Sequence, residues 1–119
     1  MKRFLATYIG TASASEKSAW VDRDPAELEE LQAKGMAAWG EWMANHSASI
    51  VDAGAPLGKT KRASADGITD TANTLTAYVI VEAESHEAAA RIFDGHPHFS
   101  VFPGDSVEIM EILPIPGMT

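Results

Sequence analysis

The run from Leu75 to Ala83 most constrains what this chain can fold into. Its β-branched and aromatic residues read as a strand, with Leu75, Ala77, Val79 and Val81 on one side and Tyr78 and Ile80 on the other. A strand that is apolar on both sides must be covered twice. Ser106 to Leu113 repeats the pattern, with Val107 and Ile109 opposite Met110 and Ile112. Pro114 and Pro116 stop it. Helices can cover one face of such a sheet, and a monomer avoids leaving a large apolar face in water. A homodimer packed through the second face is therefore expected.

The other elements follow in order. Phe4 to Ile9 reads as a first strand closed by Gly10. Residues 10–23 read as a loop or a short helix that Trp20 packs down. Asp24-Pro25-Ala26-Glu27 combines a capping aspartate, a proline at the first helical position and a capping-box glutamate. From there one helix is expected to run to Gly54, with Leu28, Leu31, Gly35, Trp39, Trp42, Met43, His46 and Ile50 along one stripe. Gly35 and Gly40 mark a bend or a close backbone contact. Leu57 to Ala65 reads as the next strand, turned by Asp66-Gly67 into Ile68 to Thr71. Ser85 caps a second helix from His86 to Phe93, and Asp94-Gly95 ends it. The order is β-α-β-β-α-β with an extra hairpin. This is an α+β, ferredoxin-like protomer occupying residues 1–119 as a single domain.

Composition removes several functions. A net charge of −8 argues against a nucleic-acid partner, and zero cysteines exclude a thiol nucleophile or thiolate metal site. No apolar run is long enough for a signal-peptide core or a membrane span, so no membrane partner is expected and the cytoplasm is the expected compartment. Lys59, Lys61 and Arg62 form the basic stretch of an acidic chain, either a solvated hairpin or a contact for an anionic small molecule. No nucleotide-cradling glycine motif occurs, and no cofactor is expected.

Histidines carry the remaining chemistry. His86, beside Glu84 and Glu87, reads as solvent-facing. His46 falls on the apolar stripe, as a hydrogen-bonded core residue or as a general base in a pocket. His96-Pro97-His98, in extended backbone, would point both rings one way. The segment is a metal pair, a substrate-lining loop or a rigid turn. No metal is expected, because no third ligand is assured. Trp39 and Trp42 serve as core or as the aromatic wall of a pocket.

The element order, the histidine late in the first helix, and Asp94-Gly95-His96-Pro97-His98-Phe99 followed by Ser106-Val107-Glu108-Ile109 resemble the YCII-related family. The resemblance spans nearly the whole chain, best over Gly58–Glu84 and His96–Leu113. It implies a dimeric α/β barrel built from ferredoxin-like protomers. It also implies relatives that include dehalogenating lyases, monooxygenases and muconolactone isomerases, most family members having no assigned reaction. The family pairs a histidine near the end of the first helix with an aspartate, and His46 matches that histidine. Where many members read Asp-Pro-Phe, this chain reads His96-Pro97-His98, and no acidic partner follows Gly54. The expected function is a small cofactor-independent lyase or isomerase acting on a polar or anionic organic molecule. His46 would be the base, His96 or His98 the acid or orienter, and Lys59 the anion contact, in a pocket shared with Tyr78, Trp39 and Trp42. The alternative is a non-catalytic small-molecule-binding or accessory module.

Overall fold

The computed structural model describes residues 1–11, 23–100, 102 and 104–117. The expectation for Trp20 and its segment lies outside them. Four strands form one antiparallel sheet in the order β2-β5-β1-β6: β1 (Lys2–Ile9), β2 (Ile50–Pro56), β5 (Leu75–Ala83) and β6 (Ser106–Glu111). Strands β3 (Thr60–Ser64) and β4 (Gly67–Thr71) pair only with each other, as a separate hairpin. Three helices complete the described chain: α1 (Pro25–Asn45), α2 (His86–Arg91) and the short α3 (Pro97–Ser100). This is a mixed α+β fold whose strand order is compatible with a ferredoxin-like protomer carrying an extra hairpin.

Register explains which face is dry. Phe4 lies opposite Val81, Ala6 opposite Val79 and Tyr8 opposite Ala77. These side chains join Trp42, Ala89 and Phe93 in the core between the sheet and the helices. The alternate residues point the other way, Leu5 opposite both Ile80 and Met110, and Thr7 opposite both Tyr78 and Glu108. No described element covers that second face, and Met110 and Ile112 on it are 44% and 45% exposed.

The long-helix expectation needs correction. Helix α1 starts as expected, with the Asp24 carboxylate accepting from the Glu27 N–H at 2.8 Å. It stops at Asn45, with His46 as its C-terminal cap and a turn at 46–49. Ile50 and Val51 are β-branched, and they begin the edge strand β2 rather than prolonging the helix. Gly54 is no helix stop either. It sits in an irregular stretch of β2 with φ +67°, where a Cβ would overlap the Tyr78 carbonyl oxygen. The strand expected at Leu57 to Ala65 is thus two things, the end of the loop after β2 and the first arm of the hairpin. Of the two helix glycines, Gly35 makes the close contact, against the ring of Phe102.

Candidate functional site

The loop after α2 turns back under α1 and brings both of its histidines into the interior. The extended His96-Pro97-His98 segment expected from sequence is instead the start of a helical turn, with Pro97 as the first residue of α3. That turn sends the two rings to different places. His96 is fully buried, wrapped by Trp42 at 4.3 Å, Trp39 at 4.5 Å and Tyr8 at 5.0 Å between ring centroids.

Hydrogen bonds determine the state of the His96 ring. The backbone N–H of His98 donates to its Nδ1 at 2.9 Å. Nδ1 therefore holds a lone pair, the proton of the neutral ring sits on Nε2, and Nε2–H donates to Tyr8 Oη at 3.1 Å. A second proton would have to enter where the His98 N–H already points. Burial pushes His96 down to about 3, and the nearby His98 and His46 rings add to that shift. The Tyr8 hydroxyl, buried beside it, is raised well above the usual tyrosine range. This pair is a neutral, locked hydrogen bond rather than an acid and a base.

Stability should respond to this burial. The unfolded chain takes up the His96 proton near the ordinary value of 6.5, whereas the folded chain resists it until about pH 3. In that interval the unfolded state binds more protons, so stability falls as pH drops. His98, also lowered, acts in the same sense below 6.5. Urea midpoints should therefore be lower at pH 5 than at pH 7, and His96→Phe should flatten that slope. Equal slopes in the two proteins would refute the assignment.

His98 faces a cleft. Its Nε2–H donates to the Ile9 carbonyl at 2.8 Å, and its ring lies on Gly104, where any side chain would displace it. Burial lowers its pKa, while the backbone of Ile9 and of Ser106 and the carboxylate of Asp105 favour the charged form. The cleft, about 360 Å³, opens between α1 and the β2–β5 edge. Met36, Trp39 and Phe102 wall one side, and Ala53 to Pro56 with Thr76 to Tyr78 form the other. Its lining is almost wholly apolar apart from His98.

The expected site residues thus separate into groups. Trp39, Tyr78 and His98 line the cleft. His96 and Trp42 stand behind it, Trp42 donating its indole N–H to the Ile92 carbonyl at 3.1 Å. His46 is half-buried at the end of α1, its ring 5.0 Å from that of Trp42, and it does not line the cleft. Lys59 is exposed in the loop before the hairpin. His86, although exposed, stacks on Phe4 and bonds the Ile109 carbonyl at 2.7 Å. Sequence reasoning missed Met36, Phe102 and Gly104. The unusual glycines at 35 and 104 were the only local signal of the close approaches there. Among the described residues no cluster of three or more histidine or carboxylate side chains could hold a metal ion, and no helix is long and apolar enough to cross a membrane.

No model of a known protein family matches the chain, and no curated protein matches it. Among solved structures, it is similar to 5-chloro-2-hydroxyhydroquinone dehydrochlorinase from Burkholderia phenoliruptrix, described in complex with 2,5-dihydroxybenzoquinone. Identity is 16%, the TM-score is 0.51, and the match covers 91% of this chain and 90% of that one. At that identity the likeness is one of fold.

Proposed function

We propose that the chain is a small cofactor-independent lyase or isomerase of the YCII-related kind, with His98 as its proton-transfer group. One observation carries this reading: a single imidazole, held neutral by burial yet flanked by groups that favour its charged form, faces an otherwise apolar cleft. Because Nε2–H is already held by the Ile9 carbonyl, a proton taken from a bound substrate goes to Nδ1, and the imidazolium so formed is favoured by the Ile9 and Ser106 backbone and by Asp105. His98 returns that proton at another substrate atom in an isomerisation. In a lyase step the electron pair left on the substrate expels a leaving group. His96 acts as a positioning residue, because its Nδ1 holds the His98 backbone.

Trp39, Met36 and Phe102 suit the flat face of a ring, with polar substituents directed toward His98. A hydroxylated ring such as the quinone bound by the similar dehydrochlorinase is the first probe to use. The cytoplasm is the compartment in which we place this activity. The same reading includes a homodimer, whose partner covers the apolar face of Leu5, Ile80, Met110 and Ile112 in the manner of a dimeric α/β barrel.

A second reading, a non-catalytic binding module, draws on the absence of any carboxylate among the described residues that line the cleft. One experiment separates the two. Quenching of tryptophan fluorescence by 2,5-dihydroxybenzoquinone reports occupancy beside Trp39, and chloride release from 5-chloro-2-hydroxyhydroquinone reports turnover. His98→Gln should lower turnover by about 10²–10⁴-fold with little change in binding. Binding without turnover in the wild type supports the module. No quenching by any hydroxylated ring removes both readings of the cleft.

A further inference from the structure

The cleft is larger than one ring needs. A dry apolar cavity of about 150 Å³ holds a single benzene molecule, and this cleft offers about 360 Å³. Its inner end is His98, 4% exposed, and its mouth is Met36, 65% exposed. The walls between them are set by close packing. The Phe102 ring lies directly on Gly35, where any side chain would collide with it, and it meets Trp39 edge-on at 5.4 Å. Facing that aromatic corner, residues 53–56 are Ala, Gly, Ala and Pro, so no long side chain fills the space from β2. Gly54 in that segment is held without a Cβ by the neighbouring Tyr78 carbonyl.

Polarity says what the occupant carries. None of the described lining residues bears a carboxylate, ammonium or guanidinium group, and Lys59 is not among them. The Thr76 hydroxyl is committed to the Tyr8 carbonyl at 3.1 Å. Tyr78 belongs to the β5 row that shares the opposite sheet face with Thr7. His98 is left as the polar side chain that meets a ligand, at the inner end. An anion entering such a site gives up its hydration without gaining a cationic partner, so a neutral ligand is favoured. Met36 at the mouth is flexible and polarisable, a side chain that moulds to a flat apolar surface.

We propose that the cleft takes a neutral aromatic molecule of two fused rings, its hydroxylated ring at His98 and its second ring between Met36 and residues 53–56. The proposal rests on the reading of the cleft as a proton-transfer site and names the substrate class for it. A single hydroxylated ring leaves the outer half of the cleft to water. A third ring extends past Met36 into solvent and buries little more.

Equilibrium dialysis of the full-length protein at pH 7 against phenol, 2-naphthol and 2-anthrol tests this, since the three share a hydroxyl and differ by one ring each. 2-Naphthol should bind about tenfold or more tighter than phenol, and 2-anthrol should gain no more than about twofold beyond that. 6-Hydroxy-2-naphthoate, which adds a carboxylate at the far end, should bind about tenfold or more weaker than 2-naphthol. Met36→Ala truncates an exposed side chain, which spares the fold, and should cut the naphthol-to-phenol affinity ratio to about threefold or less. Equal affinity for phenol and 2-naphthol overturns the two-ring proposal and leaves the proton-transfer reading standing. A gain that repeats at the third ring, or a ratio unchanged in Met36→Ala, marks adsorption to any apolar surface and overturns it too. A naphthoate that binds as well as 2-naphthol overturns the neutral class. No binding of any of the arenes removes the cleft as a ligand site, and the proton-transfer reading falls with it.

Discussion

His96→Ala is expected to lower unfolding free energy by about 3–5 kcal/mol. The ring fills a fully buried space among Tyr8, Trp39, Trp42 and Phe93, so its removal leaves a cavity of aromatic size. Two partners are stranded at once, the Tyr8 hydroxyl and the His98 backbone N–H. Each is paired with the ring and is left buried without that partner. His46→Ala is the comparison. That ring is half-buried, has no side-chain hydrogen bond among the described residues, and mainly leans on Trp42. Its loss should cost below about 1 kcal/mol. Chemical denaturation of the two variants at pH 7 measures both. A larger loss at His46 than at His96 would contradict the packing described here.

Gly54→Ala should be nearly as costly, about 2–5 kcal/mol, through an unrelated cause. At φ +67° any L side chain is strained, and here its Cβ would run into the Tyr78 carbonyl of the neighbouring strand. The backbone cannot rotate away without breaking the β2–β5 ladder beside the cleft. Gly40→Ala should do the opposite. Gly40 lies exposed in α1 with no atom near its missing Cβ, so alanine should stabilise by up to about 1 kcal/mol. Thermal melts of the pair therefore read opposite signs from one kind of substitution. A harmless Gly54→Ala would place the irregularity of β2 elsewhere.

These two glycines show what sequence reasoning could and could not reach. Local chemistry was legible wherever a cap or turn is made by adjacent residues. Asp24 and Ser85 cap their helices, and the hairpin was legible to within one residue: it reverses at Ala65-Asp66, with Gly67 (φ +116°) opening β4 opposite Ser64, rather than at Asp66-Gly67. The end of α1 was not legible, because His46 and Ile50 continue the helical period by chance. A left-handed glycine at 54 also serves a helix stop and a strand irregularity equally well. Trp39 was legible as a residue of the inward stripe of α1, as core or as wall, because one helical face points one way, and in the structure it packs on the core and borders the cleft. Phe102 and Gly104 were not, since they approach α1 and His98 only through tertiary packing. The Pro97 signal for a first helical position was present, and reading it would have separated the directions of His96 and His98. Which nitrogen of His96 carries the proton needs three dimensions, because the donor is a backbone group placed there by α3.

The strand order β2-β5-β1-β6 also has a consequence for how the chain acquires its shape. Strand β1 lies at the centre of the sheet, yet one of its two neighbours is the last strand, and the Thr7–Glu108 hydrogen bond spans 101 residues. During synthesis β1 emerges long before β6, and its second edge stays unpaired until β6 follows. Until then Phe4, Ala6 and Tyr8 have only part of the surface that later buries them. High contact order slows such closure, so refolding should be slower than in a helical domain of equal length. Helix α1 and the β1–β5 ladder form the shelter available to the nascent core, and a ribosome-stalled chain ending before Ser106 should be far more susceptible to proteolysis than the released protein.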